Sequence, residues 1–236
     1  MSAEPVAFGY VLLHHVTKVV MSLALIAGVY SASLAFPKWA FPFEDGTDGL
    51  RVHAALPLPD ETEDFAEMIK ARLESFGMNN PDTPLNIYLT GDDWRRTWFF
   101  GQSAPLASAA YPMLASDLIF LADVDIVADK VRVSNSGPEA THSASVFAIR
   151  ELARVATRQM VGAWEFIQLD PMLKNGIADY VTFGPIPKQA TDEANVRSRR
   201  SDDTRAAQHL GFYPEARLAV TYALGTDRSV AYLLAR

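Results

Sequence analysis

A chain of 236 residues, 49% of them apolar, is long enough for one ordinary domain plus an appendage. Its formal net charge of -7 gives no general affinity for nucleic acid, and its one basic cluster (Arg197, Arg199, Arg200) runs straight into Asp202 and Asp203 as a solvated loop would. With no cysteine and only five histidines (His14, His15, His53, His142, His209), disulfides, thiolate sites and cysteine nucleophiles are excluded and imidazole sites have few candidates.

The first element is hydrophobic. Val19 to Phe36 (VVMSLALIAGVYSASLAF) is eighteen residues without a charge, and the segment before it is largely apolar except for His14 and His15. A hydrocarbon core of ~30 Å needs roughly 20 apolar helical residues, so the stretch suffices with help from its flanks. Trp39 and Phe41 follow in FPKWAFPF, where aromatic side chains suit the membrane interface. The reading is a retained single-pass anchor over residues 1–42, holding the chain to the lipid bilayer through Val19 to Phe36. Two alternatives stay open. The small residues Ser31, Ser33 and Ala35 would suit a cleaved signal peptide, and a buried core helix has the same composition. Lys18 and Lys38 flank the run on opposite sides, so orientation is not set by charge.

Residues 43–50 (FEDGTDGL) read as a linker, with residues 43–236 forming the domain. A strand is expected over 52–58. Asp60 then caps a helix over 61–76, with Phe65, Met68, Ile69, Leu73 and Phe76 at helical spacing and Gly77 as its stop. Residues 85–90 (LNIYLT) alternate as a strand, Asp92 opens a short aromatic segment, and 118–127 is strand-like with 131–133 as a hairpin arm. From there the pattern is helical: 143–161, 171–182, 202–210, 213–224 and 228–234. Strands with one helix, followed by consecutive helices, predict an α+β domain, a small sheet plus a helical bundle, and exclude a doubly wound sheet.

The most informative stretch is residues 150–181, RELARVATRQMVGAWEFIQLDPMLKNGIADYV. It resembles the active-site region of the gluzincin metallopeptidases. In that family one helix carries His-Glu-x-x-His and the next carries Glu-x-x-x-Asp within a phrase like Pro-x-Trp-x-x-Glu-Gly-x-Ala-Asp-Tyr. Histidines four apart share a helical face, so both reach one zinc while the glutamate beside them activates water. The resemblance keeps the pattern and loses the ligands. Arg150 and Arg154 stand at the two histidine positions, Glu151 at the catalytic glutamate and Asn175 at the third ligand, while Asp179 keeps the aspartate that orients a histidine. Pro171, Gly176, Ala178 and Tyr180 match the second phrase, whose tryptophan is here Leu173 or Met172.

A guanidinium carries only donors and cannot ligate a metal. The resemblance therefore implies no catalytic residue, no metal and no cofactor: a degenerate, membrane-anchored relative. His142 lies two helical turns before Arg150, far from the site, and His209 reads as a mid-helix packed or surface histidine, so neither restores it. There is no Gly-x-Ser-x-Gly elbow for a serine hydrolase and no glycine-rich phosphate loop, and Asp92-Asp93 and Asp202-Asp203 look like helix caps. The expected function is non-catalytic: an accessory or structural subunit partnered with other subunits of a membrane protein complex. The candidate settings are respiratory or ATP synthase complexes in a mitochondrial or bacterial inner membrane. The alternative is a regulatory module binding a peptide or anion through Arg150 and Arg154, and an active metallopeptidase is the distant third. The same alignment predicts an Arg150–Asp179 ion pair between the two helices, with Arg154 turned to Asn175 or Glu151.

Overall fold

The computed structural model describes residues 4–78, 83–91, 93–100, 108–110, 117–132, 141–186, 213–225 and 229–234. The chain divides into two compact units, Met1–Pro37 and Lys38–Arg236.

The first unit is one helix, α1 (Glu4–Ala35), within which the 22 residues His14–Ala35 are long and apolar enough to cross a membrane. Val19, Val20, Met21, Leu23, Leu25 and Ile26 are all more than half exposed. A core helix would bury those side chains, so the core-helix reading is set aside.

The second unit is α+β. Its sheet has the order β1 (Phe43–Thr47), β2 (Leu50–Ala54), β3 (Leu85–Leu89), β5 (Leu118–Leu121), β4 (Ser108–Ala110). The central pairs β2–β3 and β3–β5 are parallel and both outer pairs antiparallel. A second, antiparallel sheet joins β6 (Val124–Asp125), β7 (Lys130–Arg132) and β8 (Thr141–His142).

The strand expected over 52–58 is β2, Leu50–Ala54, which ends ahead of the prolines Pro57 and Pro59, and two more expectations change. Residues 43–50 are not a linker. They form β1 and the turn into β2, in register Thr47 opposite Leu50, with Gly49 at φ +92°. The Asp48-Gly49 pair suits such a two-residue turn. The apolar run 118–127 is two strands, because Asp123 turns the chain with a positive φ of +46°.

The register puts two sets of side chains on opposite faces. Leu50, Val52, Ala54, Leu85, Ile87, Leu89, Ile119 and Leu121 face α2 (Thr62–Glu74) and α4 (Ala144–Val161), forming the main core. His53, Asn86, Tyr88 and Phe120 face the other way, toward α3 (Trp94–Phe100) and the 3-10 turn Pro37–Ala40. Phe41 packs there against Tyr88, Phe99 and Phe120, with centroids at 5.1, 5.3 and 6.5 Å. Phe41 is only 2% exposed, so it is a core residue and not an interface aromatic. With both faces covered, all five residues of β3 are buried.

Against α4 pack α5 (Ala163–Gln168), α6 (Pro171–Phe183) and α8 (Val230–Leu234), while α7 (Pro214–Leu224) packs on α6. The expected helix over 202–210 lies outside the described residues. Asp170 caps α6 by accepting from the Met172 N–H at 2.7 Å, with Pro171 in its first turn. At its other end the Arg72 Nε donates to the Val181 carbonyl (2.7 Å) and the Arg217 Nε to the Gly184 carbonyl (2.8 Å). Cations thus sit at the negative end of the helix dipole. Helix α7 lies close on α6 at Gly176, where an added Cβ would stand 2.8 Å from the Ala216 carbonyl carbon and 2.9 Å from Val220 Cγ2.

On the aromatic face, the His53 ring stacks on Tyr88 at 4.4 Å, and its Nε2 is 2.9 Å from Asn86 Oδ1. Asn86 Nδ2 donates to Asp117 Oδ2 at 3.2 Å, so its Oδ1 is left to accept from the ring. His53 Nδ1 is 3.5 Å from Glu44 Oε2. Burial pushes the His53 pKa down, further than the Asn86 hydrogen bond and the Glu44 charge raise it.

Two predictions follow from this packing. Gly176→Ala should destabilise the full chain by about 1–3 kcal/mol in urea unfolding, because backbone, not a flexible side chain, blocks the methyl. The His53 shift also has a signed consequence for pH. Below pH ~6.5 the unfolded imidazole takes up its proton before the folded one, so stability falls as pH drops from 7 through this range. His53→Gln should flatten that loss in the urea midpoint, and an unchanged slope would show that His53 is not its source.

Candidate functional site

Helix α4 is fixed at its start. Ser143 Oγ accepts from the Val146 N–H (3.2 Å), and Asp129 takes the Ser143 hydroxyl (2.7 Å) and the Ser145 N–H (2.7 Å). This start puts Arg150 and Arg154 one turn apart on the same side, facing α6. There Asn175 and Asp179 are likewise one turn apart.

The four side chains and Glu151 form one connected string. Arg150 Nε donates to Asp179 Oδ1 at 2.7 Å, and Arg150 Nη1 lies 3.3 Å from Glu151 Oε1. Arg154 Nη1 donates to both Glu151 oxygens, at 2.9 and 3.0 Å, and Arg154 Nη2 donates to Asn175 Oδ1 at 2.6 Å. The side chains of Arg150, Glu151 and Asp179 are 4%, 5% and 2% exposed, while Arg154, at 24%, and the half-buried Asn175 reach the surface. The geometry places Arg150 on Asp179 and Arg154 on both Asn175 and Glu151, as the alignment of the two phrases predicts.

One contributor is absent from that alignment. The Tyr213 N–H, at the start of α7, donates to Asp179 Oδ2, and the Arg150 guanidinium lies 5.9 Å from the Tyr213 ring centroid. Asp179 thus joins three helices. A backbone donor thirty-four residues away leaves no mark in the local pattern. Beside the string, a cavity of about 380 Å³ is bordered by Met172, Asn175, Tyr213, Pro214 and Glu215.

The chemistry of this arrangement is that of a closed ion-pair network. Two guanidinium groups face two carboxylates, so their charges cancel within the cluster. A zinc ion does not fit the residues present: guanidinium nitrogens are donors only, and each carboxylate is already an acceptor for arginine. Among the described residues no group of three or more His, Cys, Asp and Glu is gathered where it could hold a metal ion. His142 ends β8, ahead of the Ser143 cap and not on α4, with its ring 6.3 Å from that of Phe147. His209, Asp92, Asp202, Asp203 and the cluster Arg197, Arg199, Arg200 lie outside the described residues, while Asp93 caps α3 by accepting from the Arg95 N–H at 2.8 Å.

Comparison with known proteins places nothing beside this arrangement: no family model, no curated protein and no solved structure matches the chain.

Removing one partner of a buried pair strands the other's charge, at a cost of about 3–5 kcal/mol. Asp179→Ala should therefore destabilise the full chain by about that much, whereas the exposed Glu63→Ala should stay within ~1 kcal/mol. Equal urea midpoints for the two variants would show that the network does not hold the helices.

Proposed function

We propose that the chain is a membrane-anchored, non-catalytic protein, a degenerate relative of the gluzincin peptidases serving as an accessory subunit of a membrane protein complex. The observation that supports this reading is the closed string Asp179–Arg150–Glu151–Arg154–Asn175, at the positions that the resemblance assigns to a zinc site. Ligand positions filled by mutually satisfied side chains favour a structural use of the fold. The apolar helix supports the anchor, since its large apolar side chains from Val16 to Val29 stand exposed among the described residues. An energy-transducing inner membrane, mitochondrial or bacterial, is the setting proposed.

One observation favours the second reading, a peptide-binding module. The cavity beside Asn175 is open and lined by Met172, Tyr213 and Pro214, which suits an extended apolar segment. Charge balance argues against an anion there, because both arginines already face carboxylates.

Solubilisation of native membranes in a mild detergent distinguishes these roles. The accessory-subunit reading predicts that the protein migrates on native gels with fixed partners, at a mass far above its own 25.9 kDa. Migration as a lone chain would contradict it. The purified protein should also contain no stoichiometric zinc after dialysis, and casein cleavage abolished by Glu151→Gln would restore the peptidase reading.

A further inference from the structure

Three of the four tryptophans of this chain fall on two neighbouring segments of the second unit. Trp39 lies in the 3-10 turn, Trp94 and Trp98 lie on α3, and Trp164 is on α5. Trp39 stacks on Trp94 with centroids 5.7 Å apart and planes at 26°. The Arg95 guanidinium lies 4.9 Å from the Trp94 ring centroid, and its Nε donates to the Ala40 carbonyl at 2.8 Å. Trp98 follows one turn after Trp94, on the same side of the short helix. The inner side of this layer is fully committed: Phe41, Phe99 and Phe100 are 2%, 0% and 6% exposed. The outer side is open to water, with Trp39, Trp94 and Trp98 60%, 49% and 37% exposed.

Stacked indoles held open to water by a well-packed layer beneath them are placed for an environment that is apolar on one side and wet on the other. The chain itself states which environment is within reach. The apolar helix ends at Ala35, and Trp39 follows four residues later. Four residues extend at most about 15 Å, and the 3-10 turn advances only about 2 Å per residue. If Ala35 marks the edge of the hydrocarbon, Trp39 is set at or just outside the headgroup layer, which is ~5–8 Å deep. Trp94 is carried there by its stacking on Trp39, and Arg95 by its bond to Ala40. Indole rings suit the headgroup region, where their N–H groups can donate to lipid oxygens, while Arg95, paired with Asp93 and bonded to Ala40, braces the two segments.

We propose that Trp39, Trp94 and Trp98, braced by Arg95, form a pad that seats the second unit on the lipid headgroup layer. This rests on the anchor reading of α1. Its consequence is a folded domain held against the membrane by its own surface, and not tethered loosely by the helix alone.

The test uses the full chain in phosphatidylcholine vesicles containing lipids brominated near the headgroup, which quench indole fluorescence only on close approach. Vesicle flotation is read in the same samples. A variant keeping only Trp94, with the other three tryptophans changed to phenylalanine, should float and lose about half its emission or more, as an interfacial indole does. A variant keeping only Trp164, on the α4 side of the sheet and 69% exposed, should float with unchanged emission. The wild-type chain provides the same reading without substitution, because most of its emission should be quenched when three of its four tryptophans touch lipid. Flotation with Trp94 no more quenched than Trp164 overturns the pad and leaves the anchor standing, the result expected if another protein covers these rings. Failure to float removes the anchor and the pad together.

Discussion

The contact between Arg150 and Asp179 organises the helical half of the protein. A guanidinium and a carboxylate with side chains 4% and 2% exposed would each be costly to bury alone. Their mutual bond, at 2.7 Å, makes each a condition of the other's burial. Asp179 spends its second oxygen on the Tyr213 N–H, so the pair fixes α7 as well as joining α4 to α6. Gly176, one turn before, permits the close approach of α7 that this bond requires. Arg72 and Arg217 then close the far end of α6. One carboxylate is thereby tied to three helices, and the sheet is attached through the apolar side of α4.

A charge-neutral network of this kind holds a fold in place but leaves little for chemistry. The oxygens of Glu151, which in a hydrolase of the resembling family would face a water, accept from Arg154, and Oε1 also lies 3.3 Å from Arg150. This is why the proposed role is structural, and why surfaces elsewhere matter more than this cluster. The aromatic side of the sheet is one such surface. It buries Phe41 and Phe99 inward and holds Trp39 and Trp94 outward, in the part of the domain that is nearest to the anchor along the chain.

Local chemistry made several elements legible in the sequence. The helical patterns of 143–161 and 171–182 gave α4 and α6 nearly to the residue, and the Arg150–Asp179 pairing came from the resemblance of residues 150–181 to the two family phrases. What stayed hidden depends on contacts distant in sequence. FEDGTDGL looks like a linker because β1 is an edge strand with three exposed residues, and only pairing with β2 makes it part of the sheet. Phe41 looks interfacial beside an apolar helix, and its burial comes from Phe99 and Phe120, far along the chain. The alternation in LNIYLT suggests one wet face, but α3 covers it. His53 reads as a lone strand histidine, because its partners Glu44, Asn86 and Asp117 converge only through strand register.

The central claim is that Arg150, Arg154 and Asn175 stand at three converging positions that would hold a zinc ion if they carried ligands. Changing them together (Arg150→His, Arg154→His, Asn175→Glu) supplies two imidazoles one helical turn apart and a carboxylate facing them, with Asp179 left to orient the first ring. Elemental analysis of the dialysed triple variant, with its helical spectrum shown to match the wild type, tests the claim directly. The account predicts about one zinc per chain in the variant and none in the wild type. A correctly folded triple variant with no more zinc than the wild type would contradict it.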